Sequence, residues 1–250
     1  MTASLYDDQD RDSLFPVGVF AMKLFALVFL AICSVAACSD APREVAAPPA
    51  GSAPYVVMDF SKPMAVDALP QGWHQRKFNF VEPMQISFVE KAGRPAIRLQ
   101  THDSASMLIH DVNIGLDQRN ILSWGWFVEQ PVVTALDELT AEGDDHPARL
   151  YLKFLTSNGT SHAMEIIWGN TKLKAGDWKY LKSFWHSQPF PHYVARGGQA
   201  ETGRWHDERV DLRELYRKQW GDPSGVRLLE VALFCDTDQT GASSIAYFST

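Results

Sequence analysis

The sequence contains little cysteine: three residues in 250, of which only Cys235 lies beyond position 38. A single cysteine cannot form a disulfide within its own domain. Cys235 ends the apolar run 231–235 and precedes Asp236, whereas a reactive thiol needs an electropositive setting. We therefore predict a buried, unreactive thiol in a domain that folds without a disulfide framework.

Positive charge is also in short supply, with 23 Lys and Arg residues against 30 Asp and Glu residues and a net charge of −7. The sequence has no basic run, so it is a poor candidate for binding nucleic acid or an anionic membrane surface. It also lacks a phosphate-binding glycine loop, a nucleophile elbow and a His-Glu-x-x-His zinc motif. The sequence therefore gives no support for a nucleic-acid-binding protein, a phosphate-loop nucleotide-binding protein, a hydrolase with a nucleophile elbow or a His-Glu-x-x-His zinc enzyme.

Long apolar runs are absent too, and the clearest one, Leu24–Ile32, is too short for a confident membrane span. It follows Lys23 and precedes small residues, which is the pattern of an export signal. Val35-Ala-Ala-Cys38 resembles the bacterial lipobox, in which lipid is attached to the cysteine thiol. We predict a signal peptide over residues 1–38 with lipidation at Cys38; the alternative is an ordinary signal peptide cleaved nearby. Residues 7–12 are acidic where such a signal should be basic, which favours a true start at Met22.

Residues 39–54 contain four prolines among alanine and glycine, a composition typical of an extended tether. Acyl chains such as palmitate on Cys38 would anchor the chain stably in a lipid bilayer. Ser39 rather than Asp follows the cysteine, which by resemblance to lipoprotein sorting rules favours the outer membrane, facing the periplasm, over the inner membrane. We therefore expect a lipid-anchored protein of the cell envelope.

Residues 55–250 show short β-rich segments separated by turn signals. The clearest hairpin joins residues 149–156 to 163–168 through Asn158-Gly159, a preferred type I′ pair, and a two-residue turn would set Tyr151 opposite Ile166. One helix is predicted from the capping sequence at Asp211 to Gly221. Many strands with one short helix indicate an all-β fold, a two-sheet antiparallel sandwich of jelly-roll type.

Four segments in order carry a resemblance to a known family. They are the Trp-x-Trp-x-Val strand at 124–128, the Gly-Asp-Asp loop at 143–145 feeding the strand 148–154, the segment and helix at 208–221, and the Asp-Thr-Asp-x-Thr-Gly turn at 236–241 with the closing strand 246–248. Together they make the chain, from about Tyr55 onward, similar to DUF3047, a bacterial family of unknown function. The resemblance implies the β fold and an envelope setting, and it implies no activity.

Four carboxylates are the first candidate site. Asp144 and Asp145 precede a predicted strand, while Asp236 and Asp238 follow another. If those strands are neighbours, the four groups converge and supply the oxygen ligands that Ca²⁺ prefers. The alternatives are turn formation by Asp side chains, ion pairing with Arg149, or catalysis.

Aromatic residues are the second candidate, because sugar-binding proteins stack rings on the apolar faces of sugars. Trp185 and Trp205 flank a stretch rich in Pro, His and Gly. With Tyr193 and Arg149 they form our predicted ligand-binding set, whereas Trp124 and Trp126 fit a core role.

No signature identifies catalytic residues. The candidates for acid–base chemistry are His146, His186, Tyr193, His206 and Asp207, and no spacing links them. Whether the protein is an enzyme therefore stays open.

The sequence favours a non-catalytic, envelope-anchored domain that binds a ligand, with carbohydrate as the first choice. The alternatives are an enzyme acting on envelope polysaccharide and an assembly lipoprotein that binds another envelope protein. A cleft with convergent acid–base groups would favour the enzyme, and a flat apolar patch would favour the protein partner.

Overall fold

The structure, a computed structural model, describes residues 55–181 and 189–250. The predicted signal peptide, Cys38, the tether and two of the candidate residues, Trp185 and His186, lie outside this part of the chain. Within it the chain forms twelve strands, a short 3₁₀ helix at Gln199–Glu201 and the helix α1 at Leu212–Trp220. The strands are β1 (Trp73–Lys77), β2 (Gln85–Lys91), β3 (Arg94–His102), β4 (Ser106–Gly115), β5 (Ile121–Gln130), β6 (Arg149–Leu155), β7 (Ser161–Gly169), β8 (Trp178–Leu181), β9 (Phe190–Gly197), β10 (His206–Asp211), β11 (Arg227–Phe234) and β12 (Ser243–Ser249).

These strands form two sheets. The seven-stranded sheet has the order β1-β4-β11-β6-β7-β9-β8, and the five-stranded sheet has the order β10-β5-β12-β3-β2. The predicted all-β sandwich with one helix is confirmed. One pair departs from the antiparallel pattern, because β9 runs parallel to β7 while pairing antiparallel with the edge strand β8.

The register of the β6–β7 hairpin differs from the prediction. Tyr151 lies opposite Glu165, not Ile166, and Leu155 lies opposite Ser161. The turn holds one residue more than a two-residue type I′ turn: Thr156 N–H donates to the Thr160 carbonyl, and Gly159 takes a φ of +86°. Three-residue hairpin loops place glycine in this left-handed region. A shift of one residue exchanges the faces of a strand, so it decides which side chain Tyr151 meets.

Alternation along β6 separates the core from the outer face of the seven-stranded sheet. Leu150, Leu152 and Phe154 are at most 2% exposed and belong to the core between the sheets. Arg149 and Tyr151 point to the opposite side, which is the side that carries the candidate site.

The core is rich in aromatic residues. Trp126 and Trp168 are essentially inaccessible and meet edge to face with ring centroids 5.5 Å apart. Trp124 is also buried and packs against Trp126, which confirms the core role expected for both.

Helix α1 begins and ends where the sequence predicts. The Asp211 side chain accepts hydrogen bonds from the backbone N–H groups of Arg213 and Glu214, and Gly221 follows the last helical residue with a φ of +88°. Leu215 and Tyr216 pack on the core. No helix in the two described ranges has the length and hydrophobicity required to span a bilayer.

Cys235 is buried, as predicted. Burial raises the pKa of its thiol to about 12. A thiol with so high a pKa stays protonated at neutral pH and is a poor nucleophile.

Candidate functional site

Arg149, the first residue of β6, is the centre of a buried ionic cluster. Its charged side chain is almost fully buried, because the residue is only 2% exposed. Its Nε donates to Glu165 at 2.7 Å and its Nη1 donates to Asp236 at 2.5 Å. Nη2 lies 3.3 Å from the Asp144 carboxylate, and Nη1 also donates to the Asp144 carbonyl at 2.7 Å. One guanidinium therefore holds three carboxylates in fixed positions, a geometry that its planar set of donors suits.

Three different elements supply those carboxylates. Glu165 faces outward on β7, Asp236 follows the end of β11, and Asp144 lies in the loop before β6. Gly143 allows that loop to fold back tightly, because a Cβ at this position would lie 2.3 Å from the Asp137 carbonyl oxygen. The glycine of the Gly-Asp-Asp motif is thus required by close backbone packing.

Lys179, His146 and His192 surround the Asp144 carboxylate. Lys179 is buried, contacts Asp144 and places its Nζ 3.2 Å from His146 Nε2. His146 Nδ1 lies 3.0 Å from the Trp168 carbonyl. Because a carbonyl only accepts and an ammonium only donates, His146 carries its proton on Nδ1 and is neutral. Burial, together with Lys179 and Arg149, lowers the pKa of His146 to about 4.

His192 is buried against the same carboxylates from β9. Its Nδ1 donates to the Phe190 carbonyl at 3.1 Å. Its Nε2 lies 3.3 Å from Glu165 and 3.9 Å from Asp144 but is not aligned for a hydrogen bond with any described residue. One ring nitrogen, Nε2, therefore lies beside two carboxylates without a hydrogen bond to either.

The carboxyl groups of the cluster differ in acidity. Burial opposes ionisation of Asp144 and Glu165, but Arg149 outweighs it and holds both pKa values below the usual range. The pKa of Asp236 is raised well above its usual value, first by burial and then by the negative charges of Asp144 and Asp145 nearby. These effects outweigh Arg149, which lowers it. Burial and Asp145 likewise raise the pKa of Asp238.

Another buried carboxylate, Glu138, holds the segment that leads to β8. It accepts backbone N–H hydrogen bonds from Asn170 at 2.6 Å, Thr171 at 2.9 Å and Leu173 at 3.0 Å. These bonds fix the connection between β7 and β8 and thereby help to position Lys179.

Three of the four predicted calcium ligands come together. One oxygen from each of Asp145, Asp236 and Asp238 lies within 4.8 Å of the others, whereas Asp144 turns towards Arg149 and Lys179. Asp145 also accepts backbone N–H hydrogen bonds from Thr240 at 2.7 Å and Gln239 at 3.3 Å. The expected ion pair with Arg149 therefore occurs within the acidic group, whereas the hydrogen bonds of Asp145 join it to the distant 236–241 turn.

Calcium binding by this acidic group stays a prediction. If Ca²⁺ binds, adding it should raise the melting temperature and EDTA should lower it, since a ligand of the native state stabilises by mass action. The measurement is a thermal melt of the purified chain, with Asp238→Asn abolishing the shift and Asp222→Asn, at an exposed turn, leaving it intact. Identical melting curves in Ca²⁺ and in EDTA would remove the metal site.

The ionic cluster borders a cavity of about 290 Å³ on the outer face of the seven-stranded sheet. Its polar wall includes Arg149, Asp144, Glu165 and Asp236. The remaining lining residues are Arg76, Phe78, Ala105, Met107, Tyr151, Phe190, Phe234, Asp238 and Gln239. The cavity thus combines fixed charges with aromatic rings.

The other members of the predicted ligand-binding set lie elsewhere. Tyr193 packs against the core between the sheets, in contact with Trp178. Trp205 lies with Phe127 and Tyr247 in a small apolar cluster of the five-stranded sheet, and its Nε1 donates to the Lys91 carbonyl at 3.0 Å. Of the described members, only Arg149 borders the cavity, so the structure does not assemble this set into one site.

The candidate catalytic residues are dispersed as well. His146 belongs to the ionic cluster. His206 and Asp207 lie on β10, where His206 contacts the Glu201 carbonyl and Asp207 pairs with Arg94. Sequence reasoning missed Glu165, Lys179 and His192. The alternation Arg149-x-Tyr151 indicates that both side chains share the outer face of β6. Their neighbours on β7, β8 and β9 could not be predicted in this way, because they depend on which strands pair.

Comparison with known families identifies the chain's relatives. The sequence model of DUF3047, a protein family of unknown function, matches residues 71–250. The chain belongs to this family. No curated protein matches the chain.

Several solved structures are distantly similar to this chain. The family 11 carbohydrate-binding module of the cellulosomal cellulase Lic26A-Cel5E of Clostridium thermocellum is 8% identical, with 80% of this chain and 93% of that chain covered and a TM-score of 0.37. The xyloglucanase domain of NopAA from Sinorhizobium fredii is 12% identical, with 73% and 91% covered and a TM-score of 0.40. The family 30 carbohydrate-binding module of Cel9D-Cel44B of Clostridium thermocellum is 12% identical, with 70% and 82% covered and a TM-score of 0.34. Likenesses this distant do not indicate what this DUF3047 protein binds.

Proposed function

We propose that this DUF3047 protein is an envelope-anchored, non-catalytic domain that binds carbohydrate in the cavity on the outer face of its seven-stranded sheet. The observation that carries the proposal is the combination of aromatic rings and immobilised charges around one 290 Å³ cavity. Ligand sites in proteins commonly pair apolar walls with a few precisely placed polar groups.

The two kinds of lining residue match the two kinds of sugar surface. Tyr151 and Phe190 are half-buried, and their ring centroids lie 6.3 Å apart at an interplanar angle of 35°. Such rings can cover the apolar face of a pyranose, while Asp144 and Glu165 accept hydrogen bonds from its hydroxyl groups. Because Arg149 already fixes both carboxylates, binding would require little ordering of side chains.

The same ion pairs favour binding over catalysis. A general base needs a carboxylate free to take a proton from the substrate or from a water molecule. Asp144 and Glu165 are both engaged by Arg149, and their pKa values are held low, so each is a weak base.

Binding can be tested by calorimetric titration of the purified chain with a panel of envelope oligosaccharides. Tyr151→Ala and Phe190→Ala should each weaken binding about tenfold or more, because aromatic anchors supply much of the energy of such sites. Trp205→Ala is the matched control, since it removes a ring from the other sheet and should leave the affinity unchanged. Loss of binding in Trp205→Ala with full binding in Tyr151→Ala would place the ligand elsewhere and refute this site.

One observation favours a second function, hydrolysis of polysaccharide. Asp236 has a raised pKa and Glu165 a lowered pKa, and both line the cavity. A pair of carboxyl groups with opposite shifts is the arrangement expected of an acid and its partner. Release of reducing ends by the wild-type protein, lost in Asp236→Asn, would replace the binding proposal with an enzymatic one.

The envelope setting rests on the N-terminal sequence, and its test is fractionation of cells that express the full chain. With lipid on Cys38, the wild-type protein should sediment with membranes, and on a density gradient with the outer membrane. Cys38→Ala should release it into the soluble fraction, whereas Cys33→Ala, a matched cysteine in the apolar segment, should not. Unchanged membrane association of Cys38→Ala would overturn the lipid anchor.

A further inference from the structure

A second cavity, separate from the ionic cluster, lies between the two sheets and measures about 760 Å³. The seven-stranded sheet contributes Leu150, Leu228 and Leu233, and the five-stranded sheet contributes Leu122 and Phe248. These residues point into the sandwich interior. The cavity is therefore built from the face of each sheet that normally packs against the other.

The volume of this cavity and the chemistry of its wall together indicate what kind of ligand it fits. Pockets for small molecules typically measure about 300–1,000 Å³. The cavity opens to solvent, and leaving its apolar wall wetted costs free energy that a bound apolar group would recover. Most of the wall is apolar, and polar residues such as Asn120, Glu208 and Arg209 line the remainder. A ligand with a long apolar part and a polar head fits such a wall.

One polar group on the wall lacks a partner. Trp124 lines the cavity and is 7% exposed. Its Nε1–H is buried and has no hydrogen-bond partner among residues 55–181 and 189–250. A buried donor of this kind is normally satisfied, so the ligand should bring an acceptor oxygen to Trp124.

Residues 55–60, here called the strap, form another part of the wall. The strap is held by two hydrogen bonds, from His110 Nδ1 to the Val57 carbonyl at 2.7 Å and from Thr250 Oγ1 to the Met58 carbonyl at 2.9 Å. Its first residues, Tyr55 and Val56, are 54% and 52% exposed. The strap thus places exposed apolar side chains where the cavity meets the solvent.

We propose that the inter-sheet cavity binds a long fatty-acyl chain, with the carbonyl oxygen at its head accepting the Trp124 Nε1–H. The aliphatic walls take the chain, the single unpaired donor takes the oxygen, and the strap borders the entrance. An acyl chain is favoured over a sugar because most of the wall is apolar, and sugar hydroxyl groups that face its leucine and phenylalanine side chains would lack partners. This site is independent of the proposed carbohydrate cavity on the outer face.

The experiment is a fluorescence titration with cis-parinaric acid, a fluorescent fatty acid, followed by displacement with palmitate. The protein is the full chain carrying Cys38→Ser, so that no lipid attached to the chain itself fills the cavity. We expect saturable binding of one molecule per chain. Val231→Phe, which places a ring in the cavity, should reduce the affinity at least tenfold, and Trp124→Phe, which removes the N–H together with part of the indole ring, should reduce it about threefold to tenfold.

Two controls keep the result interpretable. Tyr151→Ala alters the outer-face cavity and should leave fatty-acid binding unchanged, and thermal melts verify that Val231→Phe and Trp124→Phe are folded. In a second arm the protein is passed over a sizing column after mixing with phosphatidylethanolamine vesicles. Uptake of palmitate alone identifies a free fatty acid, and co-elution of phospholipid identifies an acyl ester; both support an acyl-chain site. Absence of saturable binding, or equal binding by folded Val231→Phe, overturns the proposal.

Discussion

Replacing Arg149 with methionine is expected to destabilise the domain by about 3–5 kcal/mol, the usual cost of breaking a buried ion pair by removing one partner. The variant leaves Asp144, Glu165 and Asp236 buried without the guanidinium that now contacts all three. Glu165 and Asp236 then lose their cationic partner and Asp144 keeps only Lys179. Buried carboxyl groups in this position must take up protons or draw in water, and either response weakens the fold. The measurement is urea unfolding of the wild-type and variant proteins at neutral pH.

Arg76→Met is the matched control, because Arg76 borders the same cavity but is exposed. A surface substitution of this kind should change the stability by no more than about 0.5 kcal/mol. Arg149→Lys should remain clearly destabilised, since an ammonium keeps the charge but cannot reproduce the planar set of contacts. A loss below about 1 kcal/mol in Arg149→Met would show that the three carboxylates do not depend on the guanidinium.

The second large effect is a loss of stability as the pH falls from about 6.5 to 4. The folded protein keeps His146 neutral because its pKa is lowered to about 4, whereas the unfolded chain takes up this proton near the ordinary value of 6.5. Between those values the unfolded state binds more protons, so the free energy of unfolding decreases as the pH decreases. Each pKa unit corresponds to about 1.4 kcal/mol, which gives a contribution of about 3 kcal/mol from this residue.

Other groups of the cluster also titrate in acid. The lowered pKa values of Asp144 and Glu165 contribute stability that is lost at still lower pH, while the raised values of Asp236 and Asp238 act in the opposite direction. The contribution of His146 is therefore measured as the difference between wild type and His146→Asn, which does not titrate. Denaturant unfolding at several pH values should give a flatter profile for His146→Asn, with exposed His74→Asn matching the wild type. Parallel profiles for wild type and His146→Asn would contradict the buried neutral histidine.

Much of the fold could be predicted from local patterns. The alternation in Leu150-x-Leu152-x-Phe154, the capping residue Asp211 and the terminating Gly221 each act within a few residues of chain. Such signals define where elements begin, where they end and which face they bury. They led to the sandwich with one helix and to the family, DUF3047.

The candidate site was predicted only in part. Arg149 and the acidic pair Asp144 and Asp145 were identifiable because they stand beside a predicted strand. The assignment of Trp205 and Tyr193 to the same surface as Arg149 had no local basis, and the structure places the three residues in different surroundings. Aromatic content shows that rings are present, but it does not show which sheet or which face presents them.

The sequence by itself determined the alternation along β6, the helix ends and the buried state of Cys235, because these depend on side-chain pattern and short-range sterics. Only the tertiary structure decided that Glu165 and His192 meet beside Arg149, and that the two sheets enclose a cavity. Those outcomes require the three-residue hairpin loop at 157–159 and the parallel pairing of β7 with β9. Strand pairing joins residues far apart in the chain, and its register is set by the summed packing of whole sheets, so no short segment contains the information.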